Sequence, residues 1–120
     1  MVVLIVASNV ELSQVWARHI ERLGHDVCVV FGQDDAVDKL ADHPADVILL
    51  DLTLENGSAL AVADYASYRR PDTRVVFVTN TTFFSDGSIF NHVPNAAALI
   101  KSETAPADLA AIVEYHGRAV

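Results

Sequence analysis

From Asp46 to Asp51 the chain reads Asp-Val-Ile-Leu-Leu-Asp. Four consecutive apolar residues bounded by acids lack the alternation of a half-exposed strand and are too few for a buried helix. They predict a strand covered on both faces, and such strands belong to parallel sheets enclosed by helices. The rest of the chain must then supply further parallel strands and the helices that connect them. Asp51 would stand at the carboxyl end of its strand, the edge where open α/β sheets bind ligands. Taken alone, an acid closing a strand is more often a solvated turn residue than a reacting group.

The remaining segments meet that demand in order. Residues 2–6 are a continuous apolar run and predict the first strand. Ser8 and Glu11 have the spacing of a capping box, so the first helix is expected to start there with Ser8 as its cap. Leu12, Val15, Trp16, Ile20 and Leu23 recur at helical spacing as one apolar stripe, and Gly24 ends the helix. His19 and His25 read as surface or cap-adjacent residues. Residues 26–31 predict a second strand and 33–42 a short second helix. A loop with turn chemistry at Asn56-Gly57 follows the central strand, and an alanine-rich helix over 58–68 closes at Arg69-Arg70-Pro71. The arginine pair reads as a charge complement to a helix C-terminus. Residues 74–79 predict the fourth strand and 96–100 the fifth, ending in Lys101. Thr104 is expected to cap a last helix with Pro106 in its first turn. Residues 80–95 read as a loop, with one helical turn over 88–92 and a turn at Pro94-Asn95. Phe83, Phe84 and Phe90 there are either core or an exposed apolar patch for a partner.

Five strands alternating with helices over 120 residues predict a single α/β domain, 1–120, with a parallel sheet and helices on both faces. A composition that is 52% hydrophobic suffices for one core. The net charge of -8, from 16 acids against 8 bases, repels a phosphate backbone and offers nothing to anionic lipid. Nucleic acid and membrane partners are therefore not expected. The opening apolar run is too short to span a bilayer and has no basic residues before it, which predicts a cytoplasmic protein. Cys28, the lone cysteine, reads as a buried inert thiol. Asp51, Thr79 and Lys101 each follow an apolar strand directly. The fold would thus gather a carboxylate, a hydroxyl and an ammonium at one sheet edge.

With those residues the chain resembles the receiver domain of two-component response regulators, the CheY-like family, over all 120 residues. The resemblance implies a flavodoxin-like fold with strand order 2-1-3-4-5 and a signalling module in place of an enzyme. It implies that Asp51 accepts phosphate, that Thr79 contacts the phosphoryl group, that Lys101 pairs with it, and that the Thr53 carbonyl helps hold magnesium. A histidine kinase or phosphotransfer protein would be the donor and a downstream protein the target, with a homodimer left open.

The departures are as specific. Ala7 and Ser8 stand where the family places two metal-binding acids, Ser102 replaces a proline, Ala98 an aromatic and Ala59 a glycine. Magnesium binding at Asp51 and Thr53 is therefore expected to be weak or absent, because phosphoryl transfer to a carboxylate needs its developing charge neutralised. Lys101 is expected to pair directly with Asp51 instead. Two functions follow: a stand-alone receiver phosphorylated on Asp51, and a phosphorylation-independent pseudo-receiver that binds protein. A flavodoxin-like metabolic enzyme is weaker, since no glycine-rich phosphate loop follows the first strand.

Overall fold

The apolar runs pair as one parallel sheet in a computed structural model that describes residues 1–79 and 93–118. The elements are β1 (Val2–Val6), α1 (Val10–Arg22), β2 (Asp26–Val30), α2 (Gln33–Asp42), β3 (Val47–Asp51), α3 (Ala59–Arg69), β4 (Arg74–Thr79), β5 (Ala96–Lys101) and α4 (Pro106–Arg118). The strand order is β2-β1-β3-β4-β5, as the resemblance implied. Each strand differs from its sequence reading by at most one residue at an end. The readings for residues 80–92, Phe83, Phe84 and Phe90 included, lie outside the described residues.

Strand alternation divides the buried side chains between two apolar clusters. Leu4, Val6, Ile48, Leu50, Val75 and Phe77 face α2 and α3, joined by Ala36, Leu40, Val62 and Ala66. Val3, Ile5, Val47, Leu49, Val76 and Val78 face α1 and α4, joined by Trp16, Ile20, Leu109 and Val113. All of Val47, Ile48, Leu49 and Leu50 are fully buried, which is why this run carries no polar residue between its bounding acids. On β5 the pairing passes from Val75↔Ala96 to Val76↔Ala98, so Ala97 is an extra residue in the ladder. That bulge sends Ala98 and Ile100 to the α1/α4 side, and Leu99 to the α2/α3 side.

Several local readings need correction. Asn9 caps α1, its Oδ1 accepting the Leu12 N–H at 2.8 Å, while the Ser8 hydroxyl is engaged elsewhere. Asparagine caps as well as serine, so a one-residue shift costs the helix nothing. α4 begins at Pro106, which puts Ala105 and not Thr104 before its first turn, and the Leu109 N–H donates to the Ala105 carbonyl. Arg69 and Arg70 stand at the C-terminus of α3, as expected, but their guanidinium groups also reach α2. Arg70 Nε donates to the Leu40 carbonyl at 3.0 Å and Arg69 Nη2 to that of Ala41 at 3.1 Å, supplying donors to α2's free C-terminal carbonyls. His25 is half-buried, and its Nε2 lies 2.8 Å from Glu114 Oε2, tying the start of β2 to α4. Cys28 is partly buried against the α2/α3 cluster, not fully enclosed.

Candidate functional site

Parallel strands end together, so the residues that close β1, β3, β4 and β5 share one edge of the sheet. Asp51 closes β3 beside Val78 of β4, while Thr79 closes β4 beside Lys101 of β5. The backbone continues that order past the strands: the Leu52 N–H donates to the Val78 carbonyl and the Ser102 N–H to that of Thr79, both at 2.8 Å. The edge expected from the sequence is therefore present, with Asp51, Thr79 and Lys101 all on it.

The side chains are disposed differently from one another. Asp51 is half-buried, and its Oδ1 accepts both the Thr53 N–H at 2.9 Å and the Thr53 hydroxyl at 2.7 Å. This carboxylate-capped turn orients the acid. Its Oδ2 has no hydrogen-bond partner among the described residues. Thr79 is only 3% exposed. Lys101 is exposed, and no ion pair joins it to Asp51 among the described residues, so the expected resting pair does not form. The register explains this. β4 lies between the two strands, placing their axes roughly 10 Å apart. Alternation also turns Asp51 toward the α1/α4 side, whereas Lys101 follows Leu99 toward α2 and α3.

Asp51 opens into a cleft of about 360 Å³ lined by Ser8, Asn9, Leu12, Trp16, Thr53, Glu55 and Ser102. Leu12 and Trp16 contribute apolar lining, and Ser8, Thr53 and Ser102 are hydroxyl-bearing lining residues. The sequence reading assigned Trp16 only to the helix stripe and Ser102 only to a missing proline. Their shared position depends on α1 and the β5–α4 loop meeting at the sheet edge, and no local pattern announces that. The indole N–H of Trp16 is buried without a hydrogen-bond partner among the described residues, an arrangement that costs on the order of 1–3 kcal/mol.

The loop after β3 is held from two sides. The Glu55 N–H donates to the Ser8 hydroxyl at 2.9 Å. On the other flank, the Gln33 N–H donates to the Asn56 carbonyl at 2.8 Å, and Gln33 Oε1 accepts the Ser58 N–H at 2.9 Å. Close approach is possible because Gly32 and Gly57 lack side chains. Both have positive φ, and a Cβ on Gly32 would lie 3.1 Å from the Asn56 carbonyl oxygen.

The fold family's resident magnesium does not fit this donor set. Among the described residues, Asp51 and Glu55 are the only carboxylates lining the cleft, and no group of three His, Cys, Asp or Glu is able to hold a metal ion. Ser8 Oγ and Asn9 Oδ1 are both already accepting backbone N–H bonds. Magnesium needs near-octahedral oxygen ligands and sheds water reluctantly, and one oriented carboxylate does not compensate for that.

No family model matches the sequence, and no curated protein is similar enough to match. Solved structures do match in three dimensions. The N-terminal domain of a response regulator/sensory box/GGDEF protein from Carboxydothermus hydrogenoformans is similar with a TM-score of 0.86 at 23% identity, covering 98% of this chain and 94% of that one. A CheY-like response regulator receiver domain from Methanospirillum hungatei gives 0.87 at 18% identity, covering 97% and 92%. A response regulator from Burkholderia pseudomallei, solved with a phosphorylated aspartic acid, a calcium ion and citrate, gives 0.81 at 20% identity, covering 97% and 68%. At these identities the likeness is one of fold, and the fold is the CheY-like receiver fold.

Proposed function

We propose that this chain is a signalling module of the two-component type that accepts a phosphoryl group on Asp51 and passes the signal on by protein contact. One observation carries the reading. Asp51 ends the central strand with Oδ1 accepting two bonds from Thr53, while Oδ2, without a partner among the described residues, is left to act as nucleophile at the edge of the cleft. In the reaction Oδ2 attacks phosphorus, the donor's bond to the phosphoryl group breaks with its electron pair leaving on the donor, and an acyl phosphate forms. Lys101, on the same edge, supplies positive charge for the added oxygens once its flexible side chain turns toward them. A histidine kinase or phosphotransfer protein is the matching donor class, and a cytoplasmic location belongs to the same reading. The acidic balance supports a protein target over nucleic acid.

The pseudo-receiver reading is favoured by a separate observation: among the described residues the cleft has Asp51 and Glu55 but no third acid to help hold a charge-neutralising cation. Intact mass after incubation with a small phosphodonor separates the two. Addition of one phosphoryl group to the native chain, absent in Asp51→Asn, supports phosphorylation. An unchanged mass with every donor tried, magnesium present or absent, makes the chain a binding module.

A further inference from the structure

Ser8 and Glu55 are 47 residues apart in sequence, yet the serine hydroxyl accepts the Glu55 backbone N–H at 2.9 Å. Ser8 lies in the loop leaving β1, and Glu55 in the loop that carries Asp51 and Thr53 out of β3. Those strands are neighbours, paired up to Val6↔Leu50, so the bond crosses directly between the two loops at the edge of the cleft. Thr53, Glu55, Asn56 and Gly57 are all exposed, while Leu52 and Leu54 are half-buried and pack against the α2/α3 cluster. Beyond those two leucines the exposed part of the loop is held by hydrogen bonds: Thr53 to Asp51 within the loop, Gln33 on one flank, and Ser8 on the other.

A divalent cation held by acids in these same two loops would tie them by ionic bonds. The loop after β1 carries no acid, and Asn9, the other polar group beside Ser8, is occupied with the cap of α1. We propose that the Ser8–Glu55 hydrogen bond is a latch that takes the place of a cation, making Ser8 a positioning residue for the Asp51 loop and the geometry of the site indifferent to divalent metal. A neutral side-chain bond can do this because only geometry is required of it. It supplies no charge to a reaction, so the latch holds the loop but cannot replace the cation's effect on transferred phosphate. The inference rests on reading the Asp51 cleft as the working site, but not on whether Asp51 is phosphorylated.

Backbone amide exchange and chemical shifts measured by NMR on the full chain test it. In metal-free buffer the Glu55 amide should be protected, and Ser8→Ala should accelerate its exchange by about fivefold or more, the loss of one hydrogen bond. Ser8→Thr, which keeps the hydroxyl, should restore protection. Adding magnesium or calcium to the native chain should leave the Asp51, Thr53 and Glu55 amides in place. Unchanged Glu55 exchange in Ser8→Ala would overturn the latch. So would saturable shifts of these amides with either cation, a result that needs no variant to fold. Phosphodonor treatment then separates the two ideas. A native chain that gains no phosphoryl group while Ser8→Ala loses Glu55 protection overturns the phosphorylation reading and upholds the latch.

Discussion

Putting acids back at the start of the cleft should convert a metal-indifferent protein into a metal-dependent one, and the structure sets the scale of the change. Ala7 is 1% exposed and belongs to the apolar cluster that contains Trp16, Val78 and Ile100. An aspartate there places a carboxylate in largely apolar surroundings, and an uncompensated buried charge costs about 3 kcal/mol or more. Changing Ser8 to aspartate removes the hydroxyl bonded to Glu55, for about 1 kcal/mol more. Repulsion with Asp51 adds to both. The double variant Ala7→Asp/Ser8→Asp should thus lose roughly 4 kcal/mol, a large share of the 5–15 kcal/mol typical of a domain. At about 3–6 °C per kcal/mol for a chain of this size, its melting temperature in chelator should fall by roughly 12 °C or more. Magnesium at a hundred times its dissociation constant returns about 2.7 kcal/mol, or roughly 8 °C. Thermal melts of the native and double-variant chains, each with chelator and with saturating magnesium, measure all four values. The reasoning is refuted if the variant melts with the native chain in chelator, or if magnesium raises the native melting temperature as far as the variant's.

Two further perturbations probe parts of the fold away from the cleft. Asn95, 6% exposed, donates through Nδ2 to the Thr73 carbonyl at 2.8 Å and accepts the Ser67 hydroxyl at 2.6 Å. Asn95→Leu should strand that carbonyl and lower stability by about 1–3 kcal/mol, seen as an earlier urea midpoint at unchanged slope; an unmoved midpoint counts against it. The Glu114 carboxyl is held below its ordinary 4.5, chiefly by its hydrogen bond with His25, with burial opposing and the charges of His25 and Arg118 assisting. A depressed folded value stabilises the protein above 4.5 and loses that stabilisation as pH falls through the folded value, so native and Glu114→Gln melting curves should differ at neutral pH and converge on acidification. A gap that widens below 4.5 would reverse the sign of the argument.

The elements were legible because their signals are short-range. A strand buried on both faces must be apolar throughout, and 2–6, 47–50 and 75–78 are; a helix with one covered face must repeat near every third or fourth residue, as Leu12, Trp16 and Ile20 do. Asp51, Thr79 and Lys101 could be placed on one edge for the same reason, since each directly follows such a run. The parallel sheet on two helical layers follows from that alternation, while the strand order came through the resemblance.

Which side chains meet was decided by the tertiary structure. Ser8 and Asn9 are equally competent caps, and the choice fell to Asn9 while a backbone N–H 47 residues away came within reach of Ser8. Asp51 and Lys101 share an edge, yet an intervening strand and a bulge at Ala97 turn them to opposite sides of the sheet. His25 acquires Glu114 across 89 residues, and Arg70 serves a helix other than its own. Propensity and periodicity act over a few residues, so they are written locally. A hydrogen bond or ion pair between distant segments exists only once packing has brought both within about 3 Å, and no stretch of sequence contains that distance.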